Sequence, residues 1–416
     1  MDFKYSIENG CLARIIEVNS MKKYTSIIRP EDIAQSQPFD KTEDYEKKWL
    51  QCITPPLCSE KNGEIRVIDL FSGCGGLSLG IAEACRALEY RFTPVMAADI
   101  APAALELYKR NFKPLYAMDE PIEKWIDSDL GNEISTKEKE FVDMVGQIDV
   151  LIGGPPCQGH SDLNNHTRRD DPRNLLYLRM IRCVELLKPK YVLIENVPGV
   201  RHDIHNVVSV SIETLIGMGY SVDSGTMDMS LIGVPQKRKR FFLIASLEKK
   251  LSFENCIDRV KIDVRPLSWA IDDLLNVQND TVFDTPAKSS DTNKKRIDYL
   301  FDNDIYDLPN SERPDCHRLK KHSYTAVYGR MYWDIPAPTI TGGFGSNGQG
   351  RFVHPKKRRT LTPHEAARVQ FFPDYFDFAD VKRRELQQII GNAVPPKAGY
   401  AIGLEFLAPE EDDRSE

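Results

Sequence analysis

Three short stretches of the chain carry side chains able to do chemistry. In "GGPPCQGHS", residues 153–161, Cys157 sits in a turn walled by glycines and prolines, directly after the apolar run "IDVLI". Prolines fix φ and remove N–H donors, and glycines admit a close backbone or ligand, so the thiol is held in one direction. A free thiol has a pKa of about 8.5 and is a strong nucleophile only where a cation or helix N-terminus favours the thiolate. An inert core cysteine is the reading that suits Cys183, inside the apolar "MIRCVELL", and it suits Cys157 poorly. In "YVLIENVPGV", 191–200, an apolar strand delivers Glu195 and Asn196 to its end. A carboxyl beside apolar walls has its pKa raised and can serve as a proton donor. In "GVPQKRKRFFLIA", 233–245, strand alternation puts Arg238 and Arg240 on one face and Lys237 and Lys239 on the other. Two guanidiniums on one face can clamp an oxygen-rich ligand. The same run equally suits edge-strand charges that prevent aggregation.

A fourth stretch reads as a ligand cradle. "VIDLFSGCGGLSLG", 67–80, is an apolar strand with Asp69 at its end, followed by Gly73, Gly75 and Gly76 before a helix. In open α/β sheets the crevice beyond the strand C-termini takes the ligand, and glycines let the backbone approach it. The spacing is not GxGxxG, which disfavours a dinucleotide. Asp99 ends the next apolar strand, "VMAAD", where a ribose-binding carboxylate would stand, and Asp119 follows a third. Cys74 fits either a cofactor turn or simple packing. A tight turn with incidental acids is the competing, less favoured reading of this stretch taken alone.

The elements that must position these residues alternate along the chain. "IRVIDLFSGCGG" precedes the helical "LSLGIAEACRAL", "VMAADI" precedes "APAALELYKRNF", and "IDVLIGGPPC" and "YVLIENVPG" flank "LLYLRMIRCVELLK". Continuous apolar strands alternating with amphipathic helices predict an α/β fold with a doubly wound, mostly parallel sheet. From 247 to about 357 the rhythm gives way to polar, turn-rich sequence ending in "TITGGFGSNGQGRF", which predicts a second, loop-dominated region. The apolar helix after "GNAVPP" is placed to pack back on the first sheet.

The 416 residues, 41% hydrophobic, are enough for about two domains with cores of their own. No apolar run reaches the ~18 residues of a membrane span, and "MDFKYSIENG" lacks the pattern of a signal peptide, so a cytoplasmic protein is expected. Nine cysteines with no CxxC pair read as reduced thiols, with neither a disulfide framework nor a zinc or other metal site. A net charge of −7 argues against a uniformly basic coat, so a polyanion would be met by local patches such as "KRKR" at 237–240 and "KKRR" at 356–359.

Taken in order, "DLFSGCGG", "GGPPCQGHS", "ENVPG", "QKRKR", "RTLTPHEAARVQFFPD" and "GNAVPP" resemble the DNA (cytosine-5) methyltransferase family, over roughly 65–246 and 336–405. The resemblance implies a Rossmann-like fold of the S-adenosylmethionine-dependent type and methyl transfer to carbon 5 of a flipped-out cytosine in duplex DNA. S-adenosyl-L-homocysteine would be the other product. It places the cofactor against Asp69, Phe71, Ser72, Gly73, Cys74, Gly75 and Gly76, with Asp99 and Ile100 at the ribose and Asp119 at the adenine. Pro155, Leu176, Asn392 and Ala393 complete that set. Cys157 would be the nucleophile, Glu195 the acid at ring nitrogen 3, and Arg240, with Arg238 behind it, the grip on the cytosine carbonyl. Region 247–357 occupies the family's target-recognition position. There the resemblance, with the basic run, assigns DNA contacts to Arg330, Thr339, Ile340, Gly343, Arg351, Lys356, Lys357 and Arg358, and to Gln158 and Ser161 in the cysteine loop.

The resulting division is an N-terminal extension without an assigned role (1–64), a catalytic domain (65–246), a target-recognition domain (247–380) and a C-terminal segment returning to the catalytic domain (381–416). A bacterial restriction-modification methylase is the implied setting, acting as a monomer on nucleoid DNA beside an endonuclease that reads the same site without contact. Two rivals stay open at this point: a tRNA cytosine-5 methyltransferase, which shares the cysteine and glutamate, and a non-catalytic DNA-binding homologue.

Overall fold

The computed structural model describes residues 1–18, 22–33, 37–156, 176–203, 206–319, 326–378 and 380–409. The chain opens with an antiparallel meander of β1 (Asp2–Glu8), β2 (Cys11–Val18) and β3 (Lys22–Ile28). A short helix, α1 (Tyr45–Leu50), follows, capped by the Asp44 carboxylate. The main sheet then forms from β4 (Glu64–Leu70), β5 (Arg91–Ala98), β6 (Tyr116–Met118), β7 (Val150–Gly153), β8 (Tyr191–Asn196) and β9 (Ser221–Asp228). The two-residue β10 (Gln236–Lys237) lies outside it, and β11 (Lys239–Ser246) completes it. Its order is β6-β5-β4-β7-β8-β11-β9, parallel throughout except that β11 runs antiparallel to both β8 and β9.

The strands are apolar on both faces because helices cover both, as a parallel sheet requires. Val67, Ile68, Leu151, Ile152, Leu193, Ile194, Phe242 and Leu243 are all fully buried. The helices are α2 (Gly76–Ala87), α3 (Pro102–Phe112), α4 (Thr136–Val145), α5 (Leu176–Leu187), α6 (Val207–Gly217) and α7 (Phe253–Asp258). Among the described residues no helix is long and apolar enough to cross a membrane.

The described residues form two compact units that are discontinuous in sequence. The first comprises Met1–Asp228, Lys239–Lys261 and the chain from Pro395 onward; the second comprises Met229–Arg238 and Ile262–Val394. Two features tie distant parts of the chain into the first unit. The N-terminal meander is part of this unit, because Arg14 on β2 is buried and its guanidinium lies 2.9 Å from the buried Glu83 of α2. Arg86, one turn along, donates to the same carboxylate at 2.7 Å and to the Tyr45 hydroxyl at 2.7 Å. A buried carboxylate flanked by two guanidiniums is costly to break, so the meander is tied to the helix that starts at the glycine turn. The other feature is the final helix, α13 (Pro396–Leu407), buried along its whole length against α2. A Cβ on Gly80 would lie 2.1 Å from the Pro396 carbonyl oxygen, and one on Gly399 would lie 2.6 Å from that of Leu77, so only glycine lets the two helices approach this closely.

The second unit holds β10 in parallel with β12 (Ala337–Pro338), and the helices α8 (Leu267–Ile271), α9 (Asp291–Asp302), α10 (Asp315–Arg318), α11 (Pro363–Val369) and α12 (Arg383–Asn392). With so little strand or helix, buried polar side chains do the bracing. Arg368 is buried and bonds the carboxylates of Asp273 and Asp374, and Thr362 and Glu365 form a capping box at the start of α11. Helix α12 belongs to this second unit, and the chain from Pro395 rejoins the sheet unit.

Candidate active site

Strand β4 has β5 on one side and β7 on the other. The connections therefore leave in opposite directions and open a crevice at the carboxyl edge of the sheet, where doubly wound folds bind ligands. The first unit brings to this edge the ends of β4, β5, β7 and β8, which carry the glycine turn, Asp99, the "GGPP" turn and Glu195.

The glycine turn is built from backbone bonds and one carboxylate. Ser72 N–H donates to the Ala98 carbonyl at 3.0 Å and Gly75 N–H to that of Ser72 at 2.9 Å. Asp99 accepts from Gly73 N–H at 2.7 Å and from Ala101 N–H at 2.8 Å, and so clamps the turn to the start of α3. Partial burial raises its pKa from the ordinary carboxylate value, a shift that the two N–H donors oppose. Phe71 has φ +58°, in the left-handed region that an aromatic residue rarely adopts and that is retained where function requires it. Gly73 (φ +54°) and Gly75 (φ +93°) have different reasons to be glycine. A Cβ on Gly75 would strike Phe112 at 2.4 Å and Tyr108 at 2.8 Å, whereas one on Gly73 would meet nothing within 4 Å. Gly73 thus faces open space, the cradle a cofactor needs.

Two residues assigned to the cofactor serve instead behind the turn. Asp69 is almost fully buried and accepts a hydrogen bond from Ser78 Oγ at 2.7 Å, and that hydroxyl lies 2.8 Å from Tyr108 OH. Burial pushes its pKa up to about 8, and it ties β4 to α2 rather than facing the crevice. Cys74 is buried, its thiol pushed up to about 12 by desolvation, which keeps it protonated and unreactive. Ile100 is 69% exposed beside Asp99, Asp119 is exposed after β6, and Leu176 begins α5 half-buried.

At the other side of the crevice Glu195 stands one residue before the end of β8, and its Oε1 lies 2.9 Å from Arg240 Nε on β11. A Cβ on Gly154 would stand 3.1 Å from Glu195 Oε2, so the turn after β7 passes directly over the carboxylate. Asn196 donates through Nδ2 to the buried Pro155 carbonyl at 3.3 Å and accepts from Val197 N–H at 2.8 Å, joining the two turns. Cys157, Gln158 and Ser161 lie outside the described residues.

Arg238 does not share the role of Arg240. It is buried within the second unit, and its guanidinium donates to the carbonyls of Ile340 at 2.9 Å, Gly391 at 3.3 Å and Ala393 at 3.0 Å. Strand alternation alone put the two arginines on one face, but the strand breaks between β10 and β11, and Arg238 is a strut. Ile340 is fully buried and is therefore core rather than a base contact; Thr339 Oγ1 donates to the Lys237 carbonyl at 2.6 Å. Arg330 and Arg351 are both bonded to protein carbonyls and to aspartates, so neither presents a free fork. Lys356 and Arg358 are exposed and Lys357 is half-buried; the Lys356 ammonium lies 3.9 Å from the Trp333 ring centre. Gly343 packs on Gln349, Asn392 is exposed at the end of α12, and Ala393 uses its carbonyl on Arg238. Ser78 and Tyr108 escaped the sequence reading. The only signal was a serine at a buried position of an apolar helix.

Residues 65–407 match the model of the C-5 cytosine-specific DNA methylases. The chain belongs to that family. It is 50% identical over 365 residues, 88% of this chain and 86% of the relative, to a protein of Bacillus subtilis (strain 168) named Type II methyltransferase M1.BsuMI. It is 30% identical over 346 residues, 82% of this chain and 86% of the relative, to the Type II methyltransferase M1.HphI of Haemophilus parahaemolyticus. Among solved structures, a chain described as a DNA modification methyltransferase encoded within an E. coli prophage superposes with a TM-score of 0.57 at 26% identity, covering 82% of this chain and 98% of that one. The chain is thus a cytosine-5 DNA methyltransferase, an enzyme of the S-adenosylmethionine-dependent class. The open space at Gly73, the strained Phe71 beside it and the carboxylate of Asp99 fit such a cofactor.

Proposed function

We propose that the chain methylates carbon 5 of a cytosine turned out of duplex DNA at one short sequence, with Cys157 as nucleophile and Glu195 and Arg240 holding the ring. The observation that carries this reading is the Glu195–Arg240 pair at the sheet edge, directly under the turn that leads to Cys157. Carbon 5 of cytosine is a weak nucleophile. Addition of the Cys157 thiolate to carbon 6 forms a carbon–sulfur bond and pushes the electrons of the 5,6 double bond into the ring, leaving carbon 5 enamine-like. Glu195 hydrogen-bonds nitrogen 3 and relieves the charge that develops there, while Arg240 bridges Glu195 and the ring carbonyl. Phe71, Gly73 and Asp99 would hold S-adenosylmethionine, which would supply the electrophilic methyl group to carbon 5 and leave as S-adenosyl-L-homocysteine. Loss of the carbon 5 proton to a base then expels the thiolate and restores the double bond.

Extruding the base costs a few kcal/mol, which contacts from the second unit must offset. The names of the relatives support a type II modification role, in which methylation protects host DNA from an endonuclease reading the same site. We place the enzyme on the nucleoid as a monomer that needs no contact with that endonuclease. The test is transfer of labelled methyl groups to unmethylated bacterial DNA and, separately, to tRNA. A duplex carrying 5-fluorocytosine at the target then traps the adduct, because fluorine cannot leave as the proton does. Transfer to DNA with a trapped adduct lost in Cys157→Ala supports the reading. Transfer to tRNA alone overturns it.

A further inference from the structure

The basic run "KKRR" and the arginines near it read, from sequence, as an open cationic surface. In the second unit the arginines are paired with carboxylates. Arg358 is 49% exposed, and its guanidinium sits 3.3 Å from Asp298 and 2.7 Å from Asp302. Arg330 lies 3.2 Å from Asp304, and Arg351 bonds Asp307. The four aspartates come from one short run, the end of α9 and the turn after it.

The guanidiniums are also stacked in a row. Arg358 lies 5.4 Å and Arg330 4.2 Å from the Phe301 ring centre, Arg330 is 4.8 Å from that of Tyr306, Tyr306 stacks on Tyr332 at 4.5 Å, and Arg351 is 5.1 Å from Tyr332. Arg330 Nε is fixed on the Pro355 carbonyl at 2.8 Å, and Arg351 Nη1 is fixed on those of Tyr306 at 3.1 Å and Arg330 at 2.9 Å. One side of each of these forks is thus anchored in the protein, and the other points at an exposed carboxylate: Asp304 is 89% and Asp307 57% exposed.

We propose that residues Asp298, Asp302, Asp304 and Asp307 are a built-in stand-in for DNA phosphates, occupying the outer donors of Arg330, Arg351 and Arg358 until a DNA backbone displaces them. This rests on the reading of the second unit as the DNA-facing part. The exchange is physically modest, because Asp304 and Asp307 stand in solvent while Arg330 and Arg351, themselves largely buried, stay anchored on protein carbonyls, so a phosphate in register takes the place of a carboxylate without moving the arginine. Its consequence is selective. Three cations already neutralised by four carboxylates give random duplex little attraction, whereas a correctly docked sequence recovers all three forks through its other contacts. The device suits a chain of net charge −7 that must leave wrong sequences quickly.

The test uses the full-length protein and a mixed-sequence unmethylated duplex of about 30 base pairs, titrated at several salt concentrations. The quadruple variant Asp298→Asn, Asp302→Asn, Asp304→Asn, Asp307→Asn is expected to bind that duplex at least about tenfold more tightly at about 50 mM salt. Its salt slope should steepen by up to about 3, since each phosphate-bound cation contributes about 0.9. Unchanged or weaker binding by a variant with wild-type Tm would overturn the proposal and make the aspartates simple braces. Arg330→Gln, Arg351→Gln, Arg358→Gln serves as the companion. If it leaves DNA affinity unaltered, the DNA-facing reading of this surface fails and the proposal falls with it; if it weakens binding while the aspartate variant does not tighten it, only the proposal fails.

Discussion

Arg240 Nε stands 2.9 Å from Glu195 Oε1 across two antiparallel strands. Phe242 is the residue opposite Glu195, so Arg240 is its diagonal neighbour on the same face, a position that a long side chain reaches and a short one does not. The contact uses the inner nitrogen of the guanidinium. One Arg240 Nη1 donor meets the Lys239 carbonyl at 2.8 Å, which fixes the plane of the fork.

Lysine cannot reproduce that arrangement, because its single ammonium cannot bridge Glu195 and hold a plane. Arg240→Lys is expected to lower kcat/KM by about a hundredfold, the usual consequence of an ångström of misplacement at a reacting group, with little change in Tm. Methyl-transfer kinetics beside thermal melts check this. Wild-type turnover in the lysine variant would show that the pair is only structural.

The two glycines of the cofactor turn should respond differently. Gly75→Ala forces a methyl group to 2.4 Å from Phe112 in a left-handed backbone, so it should destabilise by about 1–3 kcal/mol or more. Gly73→Ala carries the backbone cost alone, about 1 kcal/mol, but its methyl projects into the open cradle. We expect near-normal urea unfolding and at least about tenfold weaker binding of S-adenosyl-L-homocysteine, equal to about 1.4 kcal/mol. Equal cofactor affinity in Gly73→Ala and wild type would move the cofactor away from this turn.

Asp69 gives a pH dependence with a definite sign. Its carboxyl ionises at about 3.9 in an unfolded chain. In the folded protein it keeps its proton up to about 8. Between those values the unfolded chain holds fewer protons than the folded one. The group's stabilising contribution is therefore complete below its unfolded pKa and is lost as pH rises toward 8. Asparagine can still accept from Ser78 and cannot ionise. The Tm of Asp69→Asn relative to wild type should accordingly rise by at least about 2 °C between about pH 5 and pH 8. A constant difference would mean that Asp69 is ionised throughout.

Much of the sheet unit was legible because its signals are local. Strand ends that bear Asp99 and Glu195, and a glycine turn before a helix, declare themselves within a few residues. What the sequence hid depends on partners far along the chain. Arg238 takes its carbonyls from residues 340, 391 and 393, and Arg330 and Arg351 meet Asp304 and Asp307, so a cation's sequence neighbours did not reveal which were already satisfied. The N-terminal meander joins the sheet unit through Arg14 and Glu83, a pairing across 69 positions that no local pattern announces.

The role of Arg238 as a strut has its own test. Arg238→Ala strands the buried carbonyls of Ile340 and Gly391, while that of Ala393 keeps Gln370 Nε2 at 3.2 Å, and should cost on the order of 3 kcal/mol in urea unfolding. Turnover per folded molecule should stay within about tenfold of wild type, an allowance of about 1.4 kcal/mol in the barrier. Intact stability with lost turnover would return Arg238 to the catalytic set.

The most direct measurement of the central claim is bisulfite sequencing of DNA from a bacterium without cytosine methylation of its own, expressing the wild-type chain, Glu195→Gln or Cys157→Ala. The account predicts protected cytosines at one short motif with the wild type, far fewer with Glu195→Gln and none with Cys157→Ala. A folded wild type that protects nothing, or a Cys157→Ala strain protected as well as wild type, would contradict it.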